Sequence, residues 1–476
     1  MTSPDRARPG GKPASRVAPH VQRSDLPGST HPAQDGNDRL ARRLGTADAV
    51  IIGLGSMIGA GVFAAFGPAA RAAGTGLLVG LLIAAVIAYC NAVASAQLAA
   101  AYPTSGGTYI YGRERLGHWW GFTAGWGFLV GKTASCAAMA LTFATYALPG
   151  PRWAQRAVAI AAVIALAALN YRGVTKTAQL TRVLVTASLT ALAVLVAGIA
   201  AGSHTSTANL GGWSTVGAYG ILQAAGLLFF AFAGYARIAT MGEEVRDPRH
   251  TIPRAIPIAL FITVAVYFVV GLTALLGAGP KVLATADAPL TAAVQAAGAG
   301  ALTPVVRIGA AVASLGALLA LIAGIGRTSL AMARHHDLPG WLAAVHPRYR
   351  VPHHAELALA VIVSVLVATV DLRGVIGFSS FGVLIYYAIA NAAALTQPAA
   401  DRRWPRSLSL LGAAGCLTLV ATLPWQSILA GTVMFTLGLT GRWAIRRHRT
   451  PTTTARPHPA HTLNTPPTPP GEQDPG

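Results

Sequence analysis

GSMIGAGVF, residues Gly55 to Phe63, lies in the middle of an apolar run from about Thr46 to Ala73. Gly55, Gly59 and Gly61 each weaken a helix by roughly 1 kcal/mol relative to alanine. Glycine lets the backbone leave helical geometry and lets another group approach closely. Two readings follow. In one, the helix breaks at mid-bilayer depth and its freed N–H groups hold something other than the next turn. Bare backbone is tolerated in hydrocarbon only where it lines a cavity or is buried in protein. In the other, the glycines serve close helix packing, since small-xxx-small patterns are common in membrane helices. A phosphate-binding glycine loop fits poorly, because it needs a soluble strand before it and both flanks here are membrane-length apolar sequence.

The composition makes the chain a polytopic membrane protein. Of 476 residues, 53% are hydrophobic and only 11% charged, against about a quarter charged in soluble proteins. The three cysteines, Cys90, Cys136 and Cys416, all lie inside apolar segments. They have no metal-ligand spacing and imply no disulfide framework, so they read as core packing. Residues 1–45 form a basic tail without the apolar region of a secretory signal. Residues 446–476 are Thr/Pro-rich. Neither tail can bury enough apolar surface to fold, and both are expected to be disordered and cytoplasmic.

A spanning helix needs about 20 apolar residues. Twelve candidates fill 46–445: spans 1 to 6 at about 47–73, 76–101, 119–147, 153–170, 179–201 and 218–242, and spans 7 to 12 at about 253–278, 303–331, 355–371, 374–396, 406–422 and 425–444. With the N-terminus inside, the short inner loops carry fourteen Lys and Arg and the outer loops five; the two tails add eight and five. That obeys the positive-inside rule with both termini cytoplasmic. The net charge of +20 therefore sets topology and meets anionic lipid, and needs no nucleic acid to explain it.

A second irregular segment, FAFAGY at Phe230–Tyr235, falls in span 6, five spans after the first. Two interrupted helices in matching halves are the best sequence pointer to a transporter binding site. Ionisable residues inside spans are functional candidates by default: Lys132 in span 3, Arg237 just after the span 6 break, and Arg307 near the outer start of span 8. Arg307 can snorkel to the interface, Arg237 can pair with Glu243 or Glu244, and Lys132 has no acid near it in sequence. No span has a central Asp or Glu, which weakens a carboxylate proton carrier and a pocket for cationic side chains. His335–His336 and His353–His354 lie beside basic residues and read as solvated loop histidines. No hydrolase motif is present, and no cofactor or metal is expected. The segment Tyr102–Tyr109 reads as an ordinary inner turn.

Taken together, GSMIGAGVF (55–63), YPTSGGTYIYGRERLG (102–117), FFAFAGYARIATMGEEVRDPRHTIPRAI (229–256) and RTSLAMARHHDLP (327–339) resemble the amino acid–polyamine–organocation permeases over about residues 45–445. The resemblance implies an all-α, LeuT-like fold in which spans 1–5 and 6–10 are inverted repeats, helices 1 and 6 are discontinuous, and spans 11 and 12 are peripheral. It implies that the substrate's carboxylate meets backbone N–H groups at Ile58, Gly59, Ala60 and Gly61. Its ammonium would meet carbonyls at Phe230, Ala231 and Ala233, with Gly234 permitting the break. Phe232 and Tyr235 would cover the ligand or shape its side-chain pocket, and Glu243 and Glu244 would be structural or gating. A half-helix N-terminus is an anion site on physical grounds as well.

Two departures from the family pattern matter. Proton-coupled relatives often carry a lysine in span 5; the matching position here is Ser188. Lys132 is the residue that would supply the missing ammonium. Some relatives with cationic substrates carry Asp directly after the span 6 aromatic, whereas here Ala236 is followed by Arg237. The expectation is a secondary active permease of the cytoplasmic membrane, proton-coupled, taking up a neutral amino acid by alternating access. The alternatives are an amino acid or amine antiporter and a cationic amino acid or polyamine permease. A membrane enzyme or a channel lacks support in clustered catalytic groups or charged rings.

Overall fold

The structure is a computed structural model that describes residues 44–103, 106–172, 177–212, 217–241 and 244–448. The expectations for residues 1–43 and 449–476, for Thr104, Ser105, Gly173 and Lys176, and for Glu243 lie outside the described residues. The chain divides into two units, Met1–Leu40 and Ala41–Gly476, and every described residue belongs to the second.

Every regular element among the described residues is a helix. Span 1 is three pieces, α1 (Thr46–Met57), α2 (Ala60–Ala64) and α3 (Phe66–Ala73). Then come α4 (Leu77–Ala101), a short α5 (Thr108–Leu116), and α6 (His118–Ala147), α7 (Arg152–Tyr171) and α8 (Thr177–Ala200) as spans 3 to 5. Span 6 is α9 (Ala218–Phe232), a 3-10 turn (Ala233–Tyr235) and α10 (Ala236–Ala239). It is followed by α11 (Pro248–Thr285), a short α12 (Pro289–Ala296), α13 (Thr303–Arg334), α14 (His353–Thr369), α15 (Leu372–Leu395), α16 (Arg406–Thr422) and α17 (Trp425–His448). Each expected span therefore has its helix. Ten stretches are long and apolar enough to cross a membrane, and α14 and α16 are shorter apolar helices of 17 residues. At 1.5 Å per residue these two reach about 25 Å, short of the roughly 30 Å of hydrocarbon. The small-residue segment after span 7 is partly helical: Gly279, at φ 70°, ends the regular part of α11, and α12 follows.

Burial sorts the helices into a centre and a rim. α6, α9 and α15 are buried over most of their length, whereas α7 and α17 expose apolar side chains such as Trp153, Ile164 and Leu437. An exposed apolar face of this extent suits hydrocarbon rather than water. The central helices approach closely because their contact faces are small; Ser135 of α6 and Ser379 of α15 share a hydrogen bond of 2.7 Å.

The turn after span 2 is more than a turn. Positive φ at Gly106 and Gly107 swings the chain into α5, and Tyr109 and Tyr111 become fully buried. Tyr111 Oη donates to Ala239 O at 3.2 Å, and Thr108 N donates to Tyr386 Oη at 3.1 Å. Tyr109 and Tyr111 are packing anchors, which the local turn residues could not reveal. Histidines 335 and 336 are exposed as expected. His353 and His354 are instead half-buried: His353 packs against Tyr171 and His346, and His354 Nδ1 donates to Trp341 O at 2.9 Å.

Beyond the last turn of α13 sits Asp337, whose side chain is 2% exposed. It accepts from Tyr109 Oη at 2.9 Å and from Arg442 Nη2 at 2.5 Å, with Arg113 Nη1 at 3.7 Å. Arg442 lies over the rings of Trp119 and Phe122 at 4.7 and 4.4 Å. The carboxylate thus joins α5 and α17 beside the end of α13, and Arg442 extends the link to α6. Removing one partner of a buried pair leaves an uncompensated charge and costs about 3–5 kcal/mol. Arg442→Met is therefore expected to lower the thermal unfolding midpoint of the detergent-purified protein clearly, and an unchanged midpoint would show that the hub contributes nothing.

Candidate functional site

The span 1 break is a single tight turn. Ile58 sits at φ −78°, ψ 65°, the inverse γ-turn conformation, and Gly59 N donates to Met57 O at 2.8 Å. Ile58 N donates back to Leu54 O at 2.6 Å. Two of the four N–H groups expected to be free are therefore used inside the chain. Ala60 and Gly61 open α2, so their N–H groups precede any intrahelical acceptor. The helical path then continues through Ala65, which is itself in right-handed helical geometry and bonds Gly61 O.

The span 6 break is milder. Phe232, Tyr235 and Ala236 all keep near-helical dihedrals, and the chain tightens into a 3-10 turn instead of unwinding. The tightening still frees carbonyls, and side chains from other spans reach them. Tyr267 Oη of α11 shares its proton between Met57 O at 2.5 Å and Ala231 O at 3.2 Å. Lys132 Nζ donates to Ala233 O at 2.9 Å, and Tyr387 Oη of α15 donates to the same oxygen at 3.3 Å. Tyr267 and Tyr387 were not singled out from sequence; an aromatic hydroxyl in an apolar span was the only available signal, because a buried Tyr hydroxyl usually finds a partner.

The two breaks lie against each other. A Cβ built at Gly234 would come 2.2 Å from Ser56 O; one at Gly61 would come 2.6 Å from Ala231 Cα, and one at Gly59 2.4 Å from Ala317 Cβ. Both readings of the glycine stretch hold at once: the helix is broken, and the glycines let spans 1, 6 and 8 touch. Substitution at Gly61 thus disturbs packing whatever it does to a ligand.

Beside the breaks is a cavity of about 20 Å³, bordered by Ser56, Phe128, Lys132, Gly234, Arg237 and Gly324 among others. Lys132 is 4% exposed. Arg237 Nη1 and Ser56 Oγ are buried without a hydrogen-bond partner among the described residues. The anticipated pairing of Arg237 with Glu244 does not form, because Glu244 pairs with Arg327 of α13. Arg327 was missed from sequence, although it lies inside span 8. Ser188 is buried but turns its hydroxyl back to Leu184 O at 2.7 Å. Phe230 is buried. Phe232 and Tyr235 do not border the cavity; they pack on Tyr267 and Tyr387 with ring centres 5.2 and 5.0 Å apart. Arg307 does not simply snorkel, since its Nε donates to Tyr146 O at 2.7 Å. Among the described residues no group of His, Cys, Asp and Glu could hold a metal ion.

The family model described as "Amino acid permease" matches residues 44–443. An uncharacterized transporter of Mycobacterium tuberculosis is 58% identical over 410 residues, covering 86% of this chain and 92% of that protein. The branched-chain amino acid permease BcaP of Bacillus subtilis is 25% identical, covering 86% of this chain and 93% of its own. The chloroplastic cationic amino acid transporter 7 of Arabidopsis thaliana is 28% identical, covering 83% and 72%.

The contact between the breaks predicts a graded response to an added methyl group. Gly234→Ala must push Ser56 away, and overpacking of this kind costs about 1–3 kcal/mol. Gly300→Ala, with nothing within 4 Å of the new Cβ, should stay within about 0.5 kcal/mol. Thermal unfolding of both variants in detergent checks this; equal midpoints would remove the close-approach role.

Proposed function

Because the chain belongs to the amino acid permease family, we propose that this multi-pass membrane protein is a secondary active transporter that takes up a neutral amino acid by alternating access, driven by a proton gradient. It is a permease and not an enzyme. The observation that carries the reading is the juxtaposition of two helix breaks, one presenting N–H groups at Ala60 and Gly61, the other carbonyls at Ala231 and Ala233. An amino acid has the complementary pair of charges. Its carboxylate is bound by Ala60 and Gly61, joined by Ile58 and Gly59 when the γ-turn at Ile58 opens. Its ammonium takes the carbonyls of Phe230, Ala231 and Ala233, with Phe232 and Tyr235 shaping the wall once the breaks separate. In this reading spans 1–5 and 6–10 are inverted repeats, the permease domain is 46–445, and both tails face the cytoplasm, as the charge bias of the loops supports.

Lys132 is the coupling residue in this scheme. It holds the carbonyl that the substrate's ammonium needs. Lys132 is buried, and two ammonium groups at one carbonyl there repel strongly, so substrate binding must move Lys132 or its proton. Ser188 replaces no such function, since its hydroxyl is spent on its own helix. The two cationic side chains on the cavity wall, Lys132 and Arg237, disfavour a lysine- or arginine-like substrate. Of the relatives' substrates, the branched-chain kind suits this wall better than the cationic kind.

Uptake by the full chain in proteoliposomes tests the reading. Labelled neutral amino acids, including the branched-chain ones, should enter saturably and faster with an acidic exterior. The methyl ester and the deaminated analogue of a good substrate should fail to compete, because each lacks one of the two charges. Lys132→Met should abolish the stimulation by a pH gradient. Failure to take up or bind any amino acid would defeat the transport reading; pH-driven uptake unaltered in Lys132→Met would remove the lysine from coupling.

A further inference from the structure

The cavity beside the breaks has a charge problem that amino acid transport does not resolve. Two of its wall residues are cations, Lys132 and Arg237, and no carboxylate borders it among the described residues. An ammonium has three donors and a guanidinium five. Lys132 spends one on Ala233 O, and Arg237 Nη1 is buried with no acceptor among the described residues. The Ser56 hydroxyl, on the same wall, is likewise buried and unpartnered. A buried charge without a partner costs several kcal/mol.

Among the described residues, the surrounding elements bring no carboxylate to the cavity wall. Among the described residues, the charged groups nearest in effect to Arg237 are Arg327 and Glu244, and these two are bonded to each other. From α14, Glu356 acts on Arg327; its Oε1 accepts from Asn170 Nδ2 at 2.7 Å, its Oε2 is buried without a partner among the described residues, and it does not border the cavity. Thr240, also on the cavity wall, gives its hydroxyl to Arg237 O at 2.9 Å. The unpartnered polar atoms on this wall among the described residues are thus a guanidinium nitrogen and a hydroxyl, Arg237 Nη1 and Ser56 Oγ, and neither is a carboxylate.

We propose that the cavity is an anion site, in which one small monovalent anion sits among the Lys132 ammonium, the Arg237 guanidinium and the Ser56 hydroxyl. The size agrees. A cavity of 10–15 Å³ on this measure holds about one water, and 20 Å³ admits a monatomic anion such as chloride but no side chain. Much of the remaining wall is apolar, Phe128, Ala317, Ala320 and Leu321 among it, and a low-dielectric wall strengthens the attraction. The anion neutralises the site while Lys132 is charged, which makes its occupancy and the position of Lys132 interdependent. The same negative charge has a second source, the side-chain carboxylate of an acidic amino acid, which reaches the wall once the breaks separate.

Thermal unfolding of the purified full-length protein separates these sources, independently of whether any amino acid is transported. Gluconate is replaced stepwise by chloride or bromide at constant ionic strength, with pH held fixed. The wild type should gain about 2 °C or more, saturating with halide concentration. Arg237→Gln should lose the saturable gain, and Arg237→Lys, which keeps the charge, should retain it in part. A variant that elutes as aggregate is replaced by Ser56→Ala, for which a weakened halide response is expected. In a second arm, glutamate and aspartate are added in gluconate. A saturable gain with halide, lost in Arg237→Gln, supports the site with an inorganic ion. A gain with the acidic amino acids alone, lost in the same variant, supports it with a substrate carboxylate. No saturable gain from either, or a gain that survives intact in Arg237→Gln, overturns the proposal.

Discussion

Backbone groups released inside hydrocarbon must find partners, because no water is there to take them. The whole centre of this molecule answers that constraint. The break at Ile58–Gly59 closes on itself through a γ-turn, and the carbonyls at both breaks are met by hydroxyls and an ammonium arriving from spans 3, 7 and 10. The helices that carry these groups are held in register with the breaks by one or two bonds each. A discontinuous helix is therefore a shared structure of several spans.

The same partners make the breaks responsive. A carbonyl satisfied by Lys132 or by a tyrosine hydroxyl can exchange that donor for another of similar strength, whereas one locked in a helix cannot. Such an exchange is nearly neutral in free energy when each donor replaces the other, which is what a binding site in a low-dielectric interior requires. The absence of side chains at Gly59, Gly61 and Gly234 lets spans 1, 6 and 8 meet at backbone distance, so movement of one break is felt directly by the other.

At the end where α1 begins, charged pairs join elements that the breaks leave short. Asp48 of α1 accepts from Arg182 of α8 and from Gly45 N, and Glu244 after α10 pairs with Arg327 of α13. The backbone of Leu44 bonds Glu244 and Arg246 on both sides of Val245. The start of span 1 and the end of span 6 are thereby tied to each other and to spans 5 and 8. Ion pairs that are partly exposed are worth little individually, so these links can part without a large cost, unlike the buried hub at Asp337.

Much of this was legible in the chain itself. Apolar runs marked a helix for each expected span, ten stretches being membrane-length and two shorter, because hydrocarbon thickness dictates length and apolar character regardless of neighbours. Glycine spacing marked the first break, and a glycine among aromatics in FAFAGY the second, since helix propensity is a local property. Lys132 stood out by its rarity. What the chain by itself left open was which groups meet. Tyr267 and Tyr387 are ordinary aromatics in apolar spans until packing brings them to the freed carbonyls. Arg327 pairs with Glu244, and Arg237 Nη1 is left without a hydrogen-bond partner among the described residues, a choice made by helix orientation. The span 6 break is a tightened turn, not an unwound one, and the supposed inner turn is a docked helix with buried tyrosines. Partner choice depends on distances between residues tens to hundreds of positions apart, and only the tertiary packing sets those distances.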